Sequence, residues 1–212
     1  MARFSVVVSA LDEQADLDRN LRAIGRAEHA IRTDAQVVVV VPTDECPQAR
    51  LAVSNGASVV TVGRSSVAAA RNAGSRVATG QILVTIDAER VMSPLAFAEM
   101  ERLLATGCYV GGGAVQRSER RSVAIDFAMA ISKLTQYLNG LGGGMYWCLR
   151  KDFEAIGGFD ERVTAIDDFD FARRLRDHGL STGRKFINLR QAPVTTSCRR
   201  GPVDRNAYAS SR

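Results

Sequence analysis

Three groups of residues in this 212-residue chain have the types and spacing for chemistry. The first is Asp87-Ala88-Glu89, two carboxylates flanking one small residue directly after the apolar run Ile82–Ile86. Hard oxygen donors so placed suit a Mg2+ or Mn2+ ion that also holds a diphosphate. An arbitrary D-x-E triplet is a solvated turn. This one follows a strand, at the carboxyl end where open α/β sheets bind ligands. The second group is Asp167, Asp168 and Asp170, opening a helical pattern (Phe171, Ala172, Leu175) that runs to Gly179. Capping and the helix dipole account for one or two acidic residues at a helix start, and for three poorly. A general base works best with its pKa raised toward the operating pH, and Asp167 beside Asp168 is a like charge of the kind that raises it. The third group is basic: Arg71 within Ala70-Arg71-Asn72-Ala73-Gly74, and Arg199-Arg200. Guanidinium forks match phosphate oxygens bidentately, although scattered surface arginines are the ordinary explanation of such residues. The two histidines, His29 and His178, fall on predicted helices without partners and read as structural.

The elements that must position these residues follow βαβ grammar. Phe4–Val8 reads as a strand, Leu17, Leu21 and Ile24 line one helix face, and Val37–Val41 is a second strand. A helix near Cys46–Asn55, a strand at Val59–Val62, a helix from Val67 to Ala78 stopped by Gly80, and a strand at Ile82–Ile86 continue the series. Near-continuous apolar strands imply a mostly parallel sheet covered by helices on both faces. After Pro94 a helix runs to about Thr106, and Tyr109–Val115 reads as a strand interrupted by Gly111-Gly112-Gly113. Val123, Phe127, Ile131, Leu134 and Leu138 form one stripe of a long helix, read as core packing with an interfacial role as the lesser alternative. Gly142–Gly144 lead into the strand-like Met145–Leu149, and Lys151–Ile156 ends at Gly157-Gly158 as a helix cap.

Composition narrows the class. With 46% hydrophobic residues the chain can bury one sizeable core, and one domain spanning 1–212 is expected. The net charge of +5 suits a polyanionic partner, and the late basic residues carry little of the aromatic interleaving that single-strand binders use for stacking, so nucleic acid is disfavoured. Cys46, Cys108, Cys148 and Cys198 show no zinc spacing and read as reduced, mostly buried thiols. Neither a signal-peptide layout nor an apolar stretch of membrane-spanning length is visible, which places the expected location in the cytoplasm.

Taken in order, these segments resemble the family-2 glycosyltransferases of the GT-A fold across nearly the whole chain. Val6–Glu13 resembles that family's first strand and its P-x-x-N-E loop, with Ser9 in place of the proline and Asp12 in place of the asparagine. Ala69–Gly80 followed by Ile82–Glu89 resembles the A-R-N-x-G helix and the D-x-D strand end, with Glu89 standing in for the second aspartate. Gly143–Asp160 is similar to an acceptor-side block ending in G-G-F-D, and Asp167-Asp168 matches the E-D dipeptide. Pro193–Arg200 is similar to a late segment that closes over the donor phosphates. The D-D-G-S turn after the second strand is replaced by Val41-Pro42-Thr43-Asp44, and the Q-x-x-R-W signature of processive synthases is absent from the sequence.

The resemblance implies a non-processive, inverting, metal-dependent transferase with a donor-nucleotide half of about residues 1–92 and an acceptor half of about 93–212. Asp168 would be the catalytic base with Asp167 beside it. Ala10, Asp12, Glu13, Arg71, Asp87, Ala88, Arg199 and Arg200 would hold the nucleotide-sugar, Gly143, Gly144 and Trp147 the acceptor, and Glu89 with Asp87 a Mg2+ or Mn2+ ion. The expected partners are a UDP- or GDP-sugar, an acceptor for which a lipid-linked hydroxyl at the inner membrane face is one option, and a second copy of the chain. A catalytically inactive nucleotide-sugar-binding protein or partner subunit is the alternative, motivated by the altered Val41-Pro42 and Glu89 positions. A nucleotidyltransferase is disfavoured, because Ser9–Gln14 is acidic and lacks the basic glycine-rich loop such enzymes place there.

Overall fold

The computed structural model describes residues 2–11, 16–63, 65–118, 144–163 and 167–196. Along them run β1 (Phe4–Ser9), α1 (Leu17–Ile31), β2 (Ala35–Val41), α2 (Pro47–Ser54), β3 (Ser58–Thr61), α3 (Val67–Val77), β4 (Ile82–Asp87), β5 (Arg90–Val91) and α4 (Ala96–Ala105). Then come β6 (Tyr109–Ser118), β7 (Met145–Leu149), α5 (Arg150–Ala155), α6 (Asp167–Ser181), β8 (Lys185–Phe186) and β9 (Leu189–Thr196). The long stripe of Val123–Leu138 lies outside the described residues.

The sheet runs β3-β2-β1-β4-β7-β6-β9-β5, with β8 beside β6. β1 is buried along its whole length because parallel partners flank it and helices cover both faces. Its side chains alternate: Phe4, Val6 and Val8 join the core under α1, α2 and α4, while Val7 joins the core under α3, α5 and α6. The expectation of an α/β architecture with a mostly parallel, doubly covered sheet is met. The antiparallel pairings are β4–β7, β6–β7 and β5–β9.

Two close approaches set the geometry. α3 lies so near the sheet that a Cβ on Gly74 would press into Val7 and come within 2.9 Å of Val40 Cγ2. In β6 the Gly111-Gly112-Gly113 run does not interrupt the strand, which is continuous over ten residues. Its missing side chains admit neighbouring backbone instead: a Cβ on Gly112 would collide with the Ile187 carbonyl, and one on Gly111 with that of Trp147.

Three short or irregular strands have no counterpart in the sequence reading. β5 and β8 are two residues each, too short for any periodicity to register. β9 contains Pro193, which reads as a strand breaker, and the pairing of β9 with β6 shifts register between Ala114 and Gln116. Pro193–Thr196 of the expected phosphate-closing segment is therefore sheet, and residues 197–200 lie outside the described ones.

Candidate active site

In the strand order, β1 is the point where the chain turns from building toward β2 and β3 to building toward β4, and the carboxyl ends of β1 and β4 lie side by side there, with Ser9 opposite Asp87. The turn after β4 is pinned from three directions. Ala88 N–H donates to the Ser9 carbonyl at 3.0 Å, and Asp87 N–H to that of Gly144 at 3.4 Å. From α1, the buried Asn20 amide donates to the carbonyls of Asp87 at 3.2 Å and Arg90 at 2.5 Å. Asn20 was not singled out from the sequence. A polar residue on the apolar face Leu17-Leu21-Ile24 was its only signal.

Above this turn sits Arg71, 1% exposed. Its Nη2 donates to Asp87 Oδ1 at 2.8 Å, and its Nη1 to Asp168 Oδ1. Asp167 Oδ2 stands 3.7 Å from Nη1, and the guanidinium lies over the Phe159 ring, 4.9 Å from its centroid. Burial works against the guanidinium's charge, but Asp168 and Asp87 outweigh it and hold its pKa above the ordinary arginine value. Arg71 is thus a permanent cation bonded to one carboxylate from each half of the chain.

The neighbouring letters of Ala-Arg-Asn-Ala-Gly have their own work. Ser66 caps α3 by accepting from Ala69 N–H, Ala70 is buried, and Gly74 permits the close helix–sheet approach. Asn72 accepts from Phe159 N–H at 2.9 Å and donates to the Phe159 carbonyl at 2.8 Å and to Glu161 at 2.9 Å. That clamps the Gly-Gly-Phe-Asp turn against α3. Phe159 in turn stacks on Phe171 of α6 at 4.0 Å between centroids, which locates the start of the helix that carries Asp167 and Asp168.

The acidic triplet divides. Asp167 and Asp168 face Arg71, whereas Asp170 pairs with Arg173 and Arg174. Burial would raise the Asp170 pKa, yet the hydrogen bonds from those two arginines hold it below the ordinary range. Tyr146 of β7, also missed in the sequence, packs edge-on against Phe159 and Phe171. Burial, joined by the charges of Asp168, Asp87 and Asp167, pushes its phenol well above the ordinary value, so it is a neutral O–H.

Several expectations need correction or placement. Arg71 was expected to grip donor phosphates, but its fork is occupied by protein carboxylates. Trp147 was expected at the acceptor; it is fully buried, and its indole N–H donates to the Gly113 carbonyl at 3.1 Å, so it packs β7 against β6. His178 has a partner after all: Nε2 lies 3.0 Å from Asp152 Oδ1, and Arg184 also donates to that carboxylate. Of the described cysteines only Cys148 is buried, while Cys46 is half-buried and Cys108 exposed. Ala10 and Ala88 are buried at the ends of β1 and β4. Gly144 lies against Arg90. Asp12, Glu13, Gly143, Arg199 and Arg200 lie outside the described residues.

For a divalent ion, the turn supplies Asp87, 17% exposed, and Glu89, 47% exposed. Among the described residues no three acidic, histidine or cysteine side chains converge as a complete ligand set. Two carboxylates with the remaining positions left to diphosphate oxygens and water fit Mg2+ or Mn2+, which keep much of their shell outside the protein in phosphate sites.

Fold and site together define an α/β domain of the GT-A type, with acidic groups gathered at the carboxyl edge of its sheet. No protein-family model and no curated protein matches the sequence. Among solved structures the mannosyltransferase PcManGT of Pyrobaculum calidifontis, in complex with GDP-Man and Mn2+, is 22% identical, with a TM-score of 0.69 over 94% of this chain and 58% of that one. S. aureus TarS in complex with UDP-GlcNAc is 12% identical, with a TM-score of 0.72 over 99% of this chain and 61% of that one. Glucosyl-3-phosphoglycerate synthase from Mycobacterium tuberculosis, in complex with Mn2+ and UDP-Glc, is 20% identical, with a TM-score of 0.60 over 96% and 73%. At these identities the likeness is one of fold, and the chain spans about three fifths of the length of the first two.

Proposed function

We propose that this chain is an inverting, non-processive glycosyltransferase that moves a sugar from a nucleoside-diphosphate donor to an acceptor hydroxyl. The observation that carries the reading is the shared grip of Arg71 on Asp87 and Asp168. It puts the strand-end carboxylate suited to the donor side and the helix-start carboxylate suited to a base within one guanidinium's reach of each other. The solved neighbours with GDP-Man, UDP-GlcNAc and UDP-Glc support a nucleotide-sugar donor.

In this reading Asp87 and Glu89 would hold a divalent cation, whose chemistry when bound is to neutralise the diphosphate as it leaves. Asp168 accepts the acceptor's hydroxyl proton while that oxygen forms its bond to the anomeric carbon. The bond from that carbon to the diphosphate oxygen breaks on the opposite side, and the sugar inverts. Arg71 keeps Asp168 oriented through Oδ1 and keeps Asp87 beside it. The buried aromatic cluster of Tyr146, Phe153, Phe159 and Phe171 excludes water from the far side of that guanidinium. Asp167 adds negative charge next to the base.

Among the described residues no helix is long and apolar enough to cross a membrane. The net positive charge supports an acceptor at an anionic lipid face, which sedimentation with liposomes tests: protein recovered wholly in the supernatant removes that acceptor class. The central test is product formation from GDP- and UDP-sugars with Mn2+ and a panel of acceptors. Asp168→Asn is expected to lower kcat by at least about 10³-fold while nucleotide binding persists, since the amide keeps the shape and loses the base. Undiminished turnover in that variant removes the mechanism.

A further inference from the structure

We infer that Arg90 is a built-in counter-cation for Glu89, holding the site's affinity for a divalent ion low until a diphosphate arrives with it. The inference rests on the reading of Asp87 and Glu89 as the cation-holding carboxylates. Arg90 directly follows Glu89 and opens β5, and its side chain is only 11% exposed. Nε lies 3.5 Å from Glu89 Oε1 and makes no hydrogen bond among the described residues, so the pair acts through space. Nη1 donates to Thr196 Oγ1 at the end of β9 and to Gln116 of β6 at 3.4 Å. Asn20 holds the Arg90 carbonyl. Gly144 lies against the guanidinium, so closely that a Cβ there would stand 2.9 Å from Nε.

An exposed arginine swings aside when a metal ion competes for its carboxylate. This one is walled in by two strands and a glycine backbone, so its charge stays beside Glu89. An ion binding to Glu89 alone therefore enters the field of a fixed positive charge, and the two cations compete for one carboxylate. A diphosphate reverses the balance, because its negative charge compensates the metal and Arg90 at once. Linkage then requires that metal and nucleotide each tighten the other's binding. Asp87 stands under a similar constraint from Arg71, so neither carboxylate faces the ion without a guanidinium beside it.

Calorimetric titration of Mn2+ into the full chain, with and without GDP or UDP, tests this on the wild type and on R90Q, R90M, R90K and R90Q/E89Q. R90Q and R90M, two neutral replacements of different polarity, keep the comparison available if one loses its fold, which thermal unfolding checks. Either should bind Mn2+ alone about three- to tenfold more tightly than the wild type. R90K should keep the weak binding, since the charge persists, and adding E89Q should abolish the gain. The nucleotide's enhancement of Mn2+ binding should shrink in the neutral variants by the same factor. Unchanged or weaker metal-alone binding in folded R90Q or R90M, with the wild type binding Mn2+ alongside a nucleotide, overturns the counter-cation role and leaves the transferase reading standing. A wild type that binds no Mn2+ even with either nucleotide overturns both this role and the metal reading.

Discussion

A guanidinium buried to 1% exposure must find partners for its charge, and Arg71 does so with three carboxylates drawn from β4 and α6. Removing it leaves Asp87, Asp167 and Asp168 facing one another without a cation. Arg71→Met should therefore cost about 3 kcal/mol in urea unfolding, at the lower end for broken buried ion pairs because Asp87 and Asp168 keep some solvent contact. Arg71→Lys keeps the charge but cannot bond two carboxylates in one plane, so it should recover stability while kcat stays at least about tenfold down. Full activity in Arg71→Lys would show that the fork's geometry has no role. Residue types at this site were legible in the sequence: Asp87, Glu89, Arg71 and Asp168 stand out by type and by position after a strand or before a helix. Their aim was not legible. Nothing in the letters distinguishes an arginine that faces phosphate from one that faces carboxylates, and the same blindness put Trp147 at the acceptor and left His178 without Asp152.

At the scale of elements, the parallel half from β1 to β4 was readable because each strand carries a short run rich in β-branched apolar residues and α1 carries a clear apolar stripe. The second half was readable only in part, since β5, β8 and β9 exist by virtue of the strands they pair with rather than of their own composition. α3 is the element that joins the two halves: Arg71 bonds the start of α6, Asn72 bonds the turn at Phe159 and Glu161, and Gly74 lets the helix sit close to the sheet. Gly74→Ala sets two effects against each other. Helix propensity favours alanine by about 1 kcal/mol, and overpacking against Val7 and Val40 costs about 1–3 kcal/mol. The short, stiff side chains of two buried β-strand valines face the site, so the crowding wins, and a net loss of about 1 kcal/mol is expected in thermal or urea unfolding. The companion change Val7→Ala should restore part of it in the double variant, by opening the space that Cβ needs. Equal losses with and without Val7→Ala would mean that the closeness of α3 to β1 is not what the glycine serves.

For the molecule as a whole, the response to acid follows from how its carboxylates are held. Asp152 is buried where α5, α6 and the segment before β8 meet, accepting from Arg184 at 2.7 and 2.8 Å and paired with His178. Burial alone would raise its pKa, but those hydrogen bonds outweigh it and hold the carboxyl below its ordinary range. Glu99 with Arg102, Asp170 with Arg174 and Arg173, and Asp160 with Arg162, the last pulled down to about 2, share that direction. Glu28 runs the other way, raised chiefly by burial. A folded-state pKa below the unfolded one gives stability that is complete above the unfolded value, about 4, and is lost as pH falls through the folded value. Among the described residues, four carboxyl groups of that sign against one of the opposite sign predict unfolding that sets in below about pH 4. Asp152→Asn isolates the most buried of them. It should be less stable than the wild type by about 2 kcal/mol at pH 7, because Arg184 loses its buried counter-charge. The two stability curves should converge as pH falls toward 2, since the wild-type carboxyl is then protonated and as neutral as the amide. Denaturant melts at half-unit steps from pH 7 to 2.5 read this directly, and a gap that stays constant over that range would mean that the Asp152 cluster contributes through packing and not through its charge.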